Sequence, residues 1–123
     1  MKKILLVIIG LVFSFISCDS SVDIKSRASI ISEDFVKERL NYPATADFGW
    51  DTVWTPDYLD ENRGTLLKKF TAKNAFGVPI EYVYKIDIRY LGGEWTDTSN
   101  WTYDYLIIEE VQSRKQHYYT PNR

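Results

Sequence analysis

Few side chains in this sequence of 123 residues have the types and spacing that catalysis or metal binding requires. His117 is the only histidine and lies in a polar C-terminal stretch, so we expect neither a zinc site nor a nucleophile–histidine pair. Glu94, Asp97 and Asp104 lie near a predicted hairpin, where carboxylates lining a pocket could act as acid and base. Their spacing does not demand that chemistry, and no glycine-rich phosphate loop is present. The sequence therefore predicts no catalytic residues, no metal and no cofactor.

Cys18 is the only cysteine, so an intramolecular disulfide is excluded and the thiol needs another use. It follows a basic start, Met1 to Lys3, and an uncharged apolar run at residues 4–16. This order is typical of a secretory signal peptide. The apolar run is shorter than the roughly 17 to 25 residues of a transmembrane helix. We predict a signal peptide at residues 1–17.

Phe15-Ile16-Ser17-Cys18 resembles the lipobox of bacterial lipoproteins, in which an apolar and a small residue precede an invariant cysteine. Leucine is usual where this chain has Phe15. The resemblance implies cleavage before Cys18, thioether lipidation of its sulfur and acylation of the new amine. Because two or more acyl chains anchor a protein stably, the implied location is the cell envelope. The lipid would enter the inner or the outer membrane, and the domain would be extracytoplasmic.

Trp95, Trp101 and Tyr103 are the residues that we would assign to a binding surface if the domain exposes an aromatic one. The chain has four Trp, nine Tyr and six Phe, and such side chains suit both β-rich cores and recognition surfaces. Trp95 and Trp101 flank a predicted loop at residues 96–100, where exposed rings could take a peptide, a glycan or a partner protein. We favour burial of the aromatic rings in the core and in cross-strand pairs over an exposed surface.

Length and charge narrow the class of protein further. The signal peptide holds two of the 15 basic residues and none of the 17 acidic ones, so the mature 106 residues carry a net charge of −4. That length suits one domain, and an acidic domain without clustered positive charge is not expected to bind nucleic acid. We predict a lipidated tether at residues 18–26, the domain at 27–111 and a polar tail at 112–123.

The predicted domain begins with an amphipathic helix at residues 27–41. Pro43 ends it because the residue before a proline is held out of the α region. Its inward side is formed by Ile31, Phe35, Val36 and Leu40.

About four strands follow the helix, at residues 48–55, 66–73, 80–90 and 95–111. The clearest is 80–90, in which apolar and polar residues alternate with the period of two that a half-buried strand shows. Gly92-Gly93 supplies a tight hairpin turn after it. Strands that follow one another with short links favour antiparallel pairing. The predicted class is α+β, with one helix packed on an antiparallel sheet.

Two stretches resemble small bacterial envelope and phage-associated domains. Phe35 to Phe48 is similar to their helix-end pattern V..L..PstA.F, with Ala44 where serine is common, and Ala72 to Gly77 is similar to their A.N.FG. The match covers residues 35–90 and implies a compact helix-plus-sheet domain whose biochemical role is generally unassigned. At Asn74 and Gly77 we expect turn chemistry rather than a ligand site.

These observations lead to one expected function and two alternatives. We expect a lipid-tethered envelope module that binds a partner protein or a cell-wall component without catalysing a reaction. The alternatives are a small envelope enzyme with an acid-lined pocket and a structural accessory of a lipoprotein complex. A pocket with two carboxylates would indicate the enzyme, and an exposed aromatic patch would indicate binding.

Overall fold

The computed structural model describes residues 23–121, and the predicted signal peptide and Cys18 lie outside the described residues. Helix α1 is followed by five strands and two single 3-10 turns. The elements are α1 (Asp23–Lys37), a 3-10 turn (Pro43–Thr45), β1 (Asp47–Pro56), β2 (Arg63–Lys73), β3 (Pro79–Tyr90), a 3-10 turn (Thr98–Asn100), β4 (Trp101–Glu110) and β5 (Gln116–Tyr119).

The strands form one antiparallel sheet in the order β1-β2-β3-β4-β5, so each strand pairs with its neighbour in the sequence. Helix α1 packs on one face, mainly over β3 and also against β1 and β4. This arrangement confirms the α+β class and the antiparallel pairing, with five strands instead of about four. No helix in residues 23–121 has both the length and the apolar character needed to cross a membrane.

The fifth strand lies where a polar tail was predicted. Residues 116–119 pair with β4 through Leu106 to Glu109, and their side chains are mostly exposed. An edge strand with little buried surface needs no apolar alternation, and so the sequence carried no periodic signal for it. Arg39 holds the end of the chain through a hydrogen bond of 2.8 Å from its Nη2 to the carbonyl oxygen of Thr120.

Helix α1 begins and ends earlier than predicted. Residues 23–26, predicted as part of the tether, are helical, and the regular helix ends at Lys37 instead of residue 41. Beyond Lys37 the backbone tightens, with Arg39 N donating to Val36 O and Leu40 N donating to Lys37 O. Bonds of this i to i−3 type commonly finish an α-helix.

The core lies between α1 and the inward face of the sheet. Ile31, Phe35 and Val36 of the helix are buried there, as predicted, while Leu40 packs at its border. In β3 the alternation decides the packing, because Tyr84, Ile86 and Ile88 are buried while the intervening side chains are wholly or partly exposed. Aromatic contacts join neighbouring elements. The pairs are Phe35–Tyr103, Phe48–Phe70, Phe70–Tyr82 and Tyr90–Trp101.

Candidate functional site: a groove between helix α1 and strand β1

The predicted aromatic surface does not exist as an exposed patch. Trp101 is 0% exposed and Tyr103 is 3% exposed, and Trp95 is half-buried against the core. Burial in the core, the interpretation that the sequence favoured, holds for Trp101 and Tyr103, because both lie on the inward face of β4 under the helix.

These three rings stabilise the fold. The indole Nε1 of Trp101 donates a hydrogen bond of 2.8 Å to the backbone oxygen of Trp95, which fixes the loop between β3 and β4. Arg39 Nη2 donates to the Tyr103 hydroxyl at 3.0 Å, and the Arg27 guanidinium lies 5.3 Å from the centre of the Trp95 ring. Each ring thus has a packing role that explains its presence.

Carboxylates gather around Arg63 at one edge of the outer face. Arg63 contacts Asp87 through two hydrogen bonds of 2.8 and 3.1 Å, and it also pairs with Asp104 and, at 3.9 Å, with Asp57. The hydrogen bonds and charge of Asp87, aided by the other two carboxylates, raise the pKa of Arg63 above its already high value. The adjoining cleft encloses only about 220 Å³. Because these carboxylates are occupied by a permanent cation, they form a charge cluster and not an acid–base pair.

A metal site finds no support in the described part of the chain. Residues 23–121 contain no group of three or more histidine, cysteine, aspartate or glutamate side chains placed to hold an ion. His117 lies on β5 with its side chain exposed, 6.4 Å from the ring centre of Tyr119.

A groove of about 570 Å³ lies between α1 and the edge strand β1. We call it the α1–β1 groove. Its helical side is formed by Lys25, Ser26, Ser29, Ile30, Glu33 and Lys37. Its sheet side is formed by Phe48, Gly49, Trp50, Thr52 and Lys68.

A β-bulge places Trp50 in solvent at this groove. Phe48 pairs with Phe70 and Thr52 pairs with Lys68, so three residues of β1 lie opposite Lys69 alone. Strict alternation would turn Trp50 inward, on the side of Phe48 and Thr52. The two extra residues break that alternation, and the Trp50 side chain is 99% exposed.

Polar groups from three elements meet at the base of the groove. Lys68 of β2 is only 7% exposed, and its Nζ donates to Glu33 Oε1 at 2.9 Å and to Ser29 Oγ at 3.1 Å. Thr52 Oγ1 lies 3.3 Å from Ser29 Oγ. Burying an ammonium group is costly unless it is paired and hydrogen-bonded, and Glu33 provides that compensation.

A second hydrogen-bonded chain fixes the helical side of the groove to the core. Tyr84 of β3 donates to Ser32 Oγ at 2.7 Å, because Ser32 uses its own proton for the Ser29 backbone oxygen at 2.7 Å. Burial raises the pKa of the Tyr84 hydroxyl above its usual value, while the hydrogen bond to Ser32 opposes that shift. The helical side of the groove is therefore joined to β3 by a buried hydrogen bond.

This arrangement is suited to binding rather than to nucleophilic catalysis. Lys68 donates a hydrogen bond to the Ser29 hydroxyl, whereas activation of a serine requires a base that accepts its proton.

The sequence contained a local signal for the groove that we missed. Lys25, Ser29, Glu33 and Lys37 recur every four residues, the spacing that places side chains on one face of a helix.

The segments at residues 35–48 and 72–77 meet at the opposite end of the sheet from the β1–β2 loop. Lys73 N donates to Thr45 Oγ1 at 3.0 Å, which joins the segment after α1 to the end of β2. Asn74 Oδ1 accepts bonds from the backbone N–H groups of Phe76 and Val78, and Gly77 has a φ of +74°. The expected turn chemistry at Asn74 and Gly77 is confirmed.

Comparisons with protein-family models, curated proteins and solved structures gave no match for this chain. The α1–β1 groove is therefore the main source of functional inference.

Proposed function

We propose that this chain is a lipid-anchored bacterial envelope protein and that its domain is a non-catalytic binding module. The lipid anchor rests on the signal-type segment and the lipobox resemblance at Cys18. The binding role rests on one structural observation above all, the fully exposed indole of Trp50 beside the buried Lys68–Glu33 ion pair. We infer that the α1–β1 groove is the binding face.

Exposure of Trp50 supports a role in recognition. Tryptophan is a large hydrophobic side chain that proteins usually bury at least in part, and it is enriched among the residues that contribute most binding energy at interfaces. A groove of about 570 Å³ with a few fixed polar groups is within the size range of ligand sites. The bulge presents the indole at the border of that groove, where a bound molecule would cover it.

A structural accessory of a larger complex is the second candidate. The outward face of the sheet has no helix over it in residues 23–121, and a row of cross-strand neighbours crosses it. Val53, Leu67, Ile107 and Tyr118 belong to this row and are at least partly exposed, with Lys85 between Leu67 and Ile107. Docking of a partner on this face would favour the accessory role.

The anchor is tested by substituting the cysteine. Cys18→Ser removes the thiol that lipidation requires, so the variant should leave the membrane fraction or accumulate with its signal peptide. Intact mass and fractionation against the unaltered protein measure both effects. A Cys18→Ser protein that stays in the membrane fraction at the normal mature mass contradicts lipidation.

The binding face is tested by photo-crosslinking in living cells. A photoreactive phenylalanine analogue would replace Trp50 in the groove, Leu67 on the outward face and, as a control, the fully exposed Tyr58 in the β1–β2 loop. The binding-module proposal predicts a recurrent adduct of fixed mass from position 50 alone. An adduct from position 67 without one from position 50 would favour the accessory role, and equal labelling at all three positions would count against a defined face.

A further inference from the structure

We propose that the α1–β1 groove binds an acidic peptide segment of a partner protein in an extended conformation. This inference rests on the proposed binding function and specifies the chemistry of its ligand. Three observations support it. They are the positive charge of the groove, the buried Lys68 ammonium group with one N–H not used in a hydrogen bond within residues 23–121, and the edge strand β1 along the groove.

The groove is locally basic in an acidic protein. Lys25, Lys37 and Lys68 line it, and Glu33 is its only carboxylate, whereas the whole chain has a net charge of −2. Lys25 and Lys37 lie twelve residues apart on α1, which corresponds to about 18 Å along a helix. An extended peptide of about six residues covers the same distance. Carboxylates near both ends of such a segment would meet a lysine.

Lys68 has a hydrogen-bond donor to spare at the base of the groove. An ammonium group has three N–H donors, and within the described residues two of them are used, by Glu33 and Ser29. Lys68 is more than nine-tenths buried and still lines the groove. A carboxylate or carbonyl oxygen of a bound segment would supply the third acceptor, and such charge-assisted bonds are stronger than neutral ones.

The other groups in the groove fit a peptide better than an anionic glycan. Trp50 and Ile30 expose apolar surface, which suits a hydrophobic side chain placed between the acidic ones. Within residues 23–121, β1 is an edge strand, so alternate backbone groups have no strand partner there and could pair with the main chain of a peptide. Sugar hydroxyls need side chains that accept as well as donate. The lining contains no asparagine or glutamine, and Glu33 is engaged by Lys68. Of its three hydroxyl groups, those of Ser29 and Thr52 are already hydrogen-bonded, which leaves Ser26.

The ligand class is tested by fluorescence anisotropy with the full-length chain purified from whole cells in detergent. The first probe is a labelled, end-blocked peptide of about six residues that alternates glutamate with valine or phenylalanine. The second has glutamine in place of every glutamate, and the third is a labelled uronic-acid oligosaccharide. We expect the acidic peptide to bind at least about tenfold more tightly than either of the others, and more weakly as salt is raised.

Matched variants localise the binding. Trp50→Ala should weaken binding of the acidic peptide about tenfold or more, as truncation of a central aromatic residue does at interfaces. Lys37→Ala should weaken it severalfold. The controls are Tyr58→Ala, which removes an equally exposed ring, and Lys85→Ala, which removes an exposed lysine from the outward face, and both should leave affinity unchanged.

Three results would overturn the ligand class. These are equal binding of the acidic and glutamine peptides, tighter binding of the oligosaccharide, and equal effects of Trp50→Ala and Tyr58→Ala. The proposed binding function is decided separately by crosslinking from position 50. A crosslink there together with any of these three results would reject the acidic peptide and retain the module.

Discussion

Lys68 belongs both to the ion pair at the base of the groove and to the proposed binding site. Its stem leaves β2 on the inward face, where neighbouring positions hold Leu66 and Phe70, and its ammonium group ends between Glu33 and Ser29. An apolar residue at this position would fill the core without the cost of burying a charge. A buried lysine that lines a groove is therefore better explained by what it presents to a ligand than by the stability it adds.

Removal of the Lys68 ammonium group should destabilise the domain, because Glu33 then loses its counterion. Lys68→Met leaves the Glu33 carboxylate partly buried without its counterion, and we expect a loss of about 2 kcal/mol in the free energy of unfolding. The double variant with Glu33→Gln should recover most of that loss. Urea denaturation measures each value, with Lys69→Met on the exposed face of the same strand as the control. Equal losses for Lys68→Met and Lys69→Met would show that the ion pair contributes nothing.

Tyr84 should make stability fall at alkaline pH. Burial raises the pKa of Tyr84 in the folded protein above the value of 10.0 usual for tyrosine. Its stabilising effect is therefore complete below pH 10 and is lost as pH rises from there towards the higher folded pKa. In that window the loss is about 1.4 kcal/mol per pH unit.

Tyr84→Phe isolates this effect. At neutral pH the variant should be about 1 kcal/mol less stable, since Ser32 loses a hydrogen-bond donor. Above pH 10 the difference should shrink, because phenylalanine does not ionise. Tyr58→Phe, at a fully exposed ring, is the control for pH dependence. Tyr82, whose pKa is raised by burial and by Glu110, is unchanged in both proteins. A constant difference between the unaltered protein and Tyr84→Phe across this range would contradict the assignment.

At the scale of the element, the strands differ in how far the sequence reveals them. β3 was predictable because it lies at the centre of the sheet with one face under α1, so its alternation is long and strict. The bulge in β1 was not predictable from the sequence, because the register that places Trp50 in solvent depends on pairing with β2, far along the chain. The α+β class followed from local patterns. The helical side of the candidate site had a local signal in the four-residue spacing from Lys25 to Lys37. Its assembly with β1 and β2 depended on contacts between distant residues, which no local pattern contains.

Arg39 makes two contacts with the end of the chain, one to β5 and one to the residue that follows it. Its guanidinium donates to the Thr120 carbonyl and lies 5.0 Å from the ring centre of Tyr119. Arg39→Ala should speed amide hydrogen exchange in β5 by about tenfold, while exchange in β2 and β3 changes little. Arg114→Ala, in the exposed turn before β5, is the matched control. Equal protection of β5 in Arg39→Ala and Arg114→Ala would show that backbone pairing alone holds the strand.

At the scale of the whole molecule, the proposed anchor and the groove lie close together along the chain. Lys25, the first residue of the groove, follows Cys18 by seven positions, with six residues between them. Even fully extended, they span at most about 25 Å. A partner of the groove would thus be engaged near the membrane surface. The outward face of the sheet is on the side away from α1 and stays available for other contacts.

The central claim is that the α1–β1 groove is occupied in the cell. Hydroxyl-radical footprinting of intact cells and of the purified protein, read by mass spectrometry, measures the oxidation of individual side chains. Trp50 and Tyr58 are both fully exposed in the structure and provide a test position and an internal reference. Our expectation is that Trp50 is oxidised severalfold less in cells than in the purified protein, with Tyr58 unchanged. An equal ratio of Trp50 to Tyr58 oxidation in both samples would contradict it.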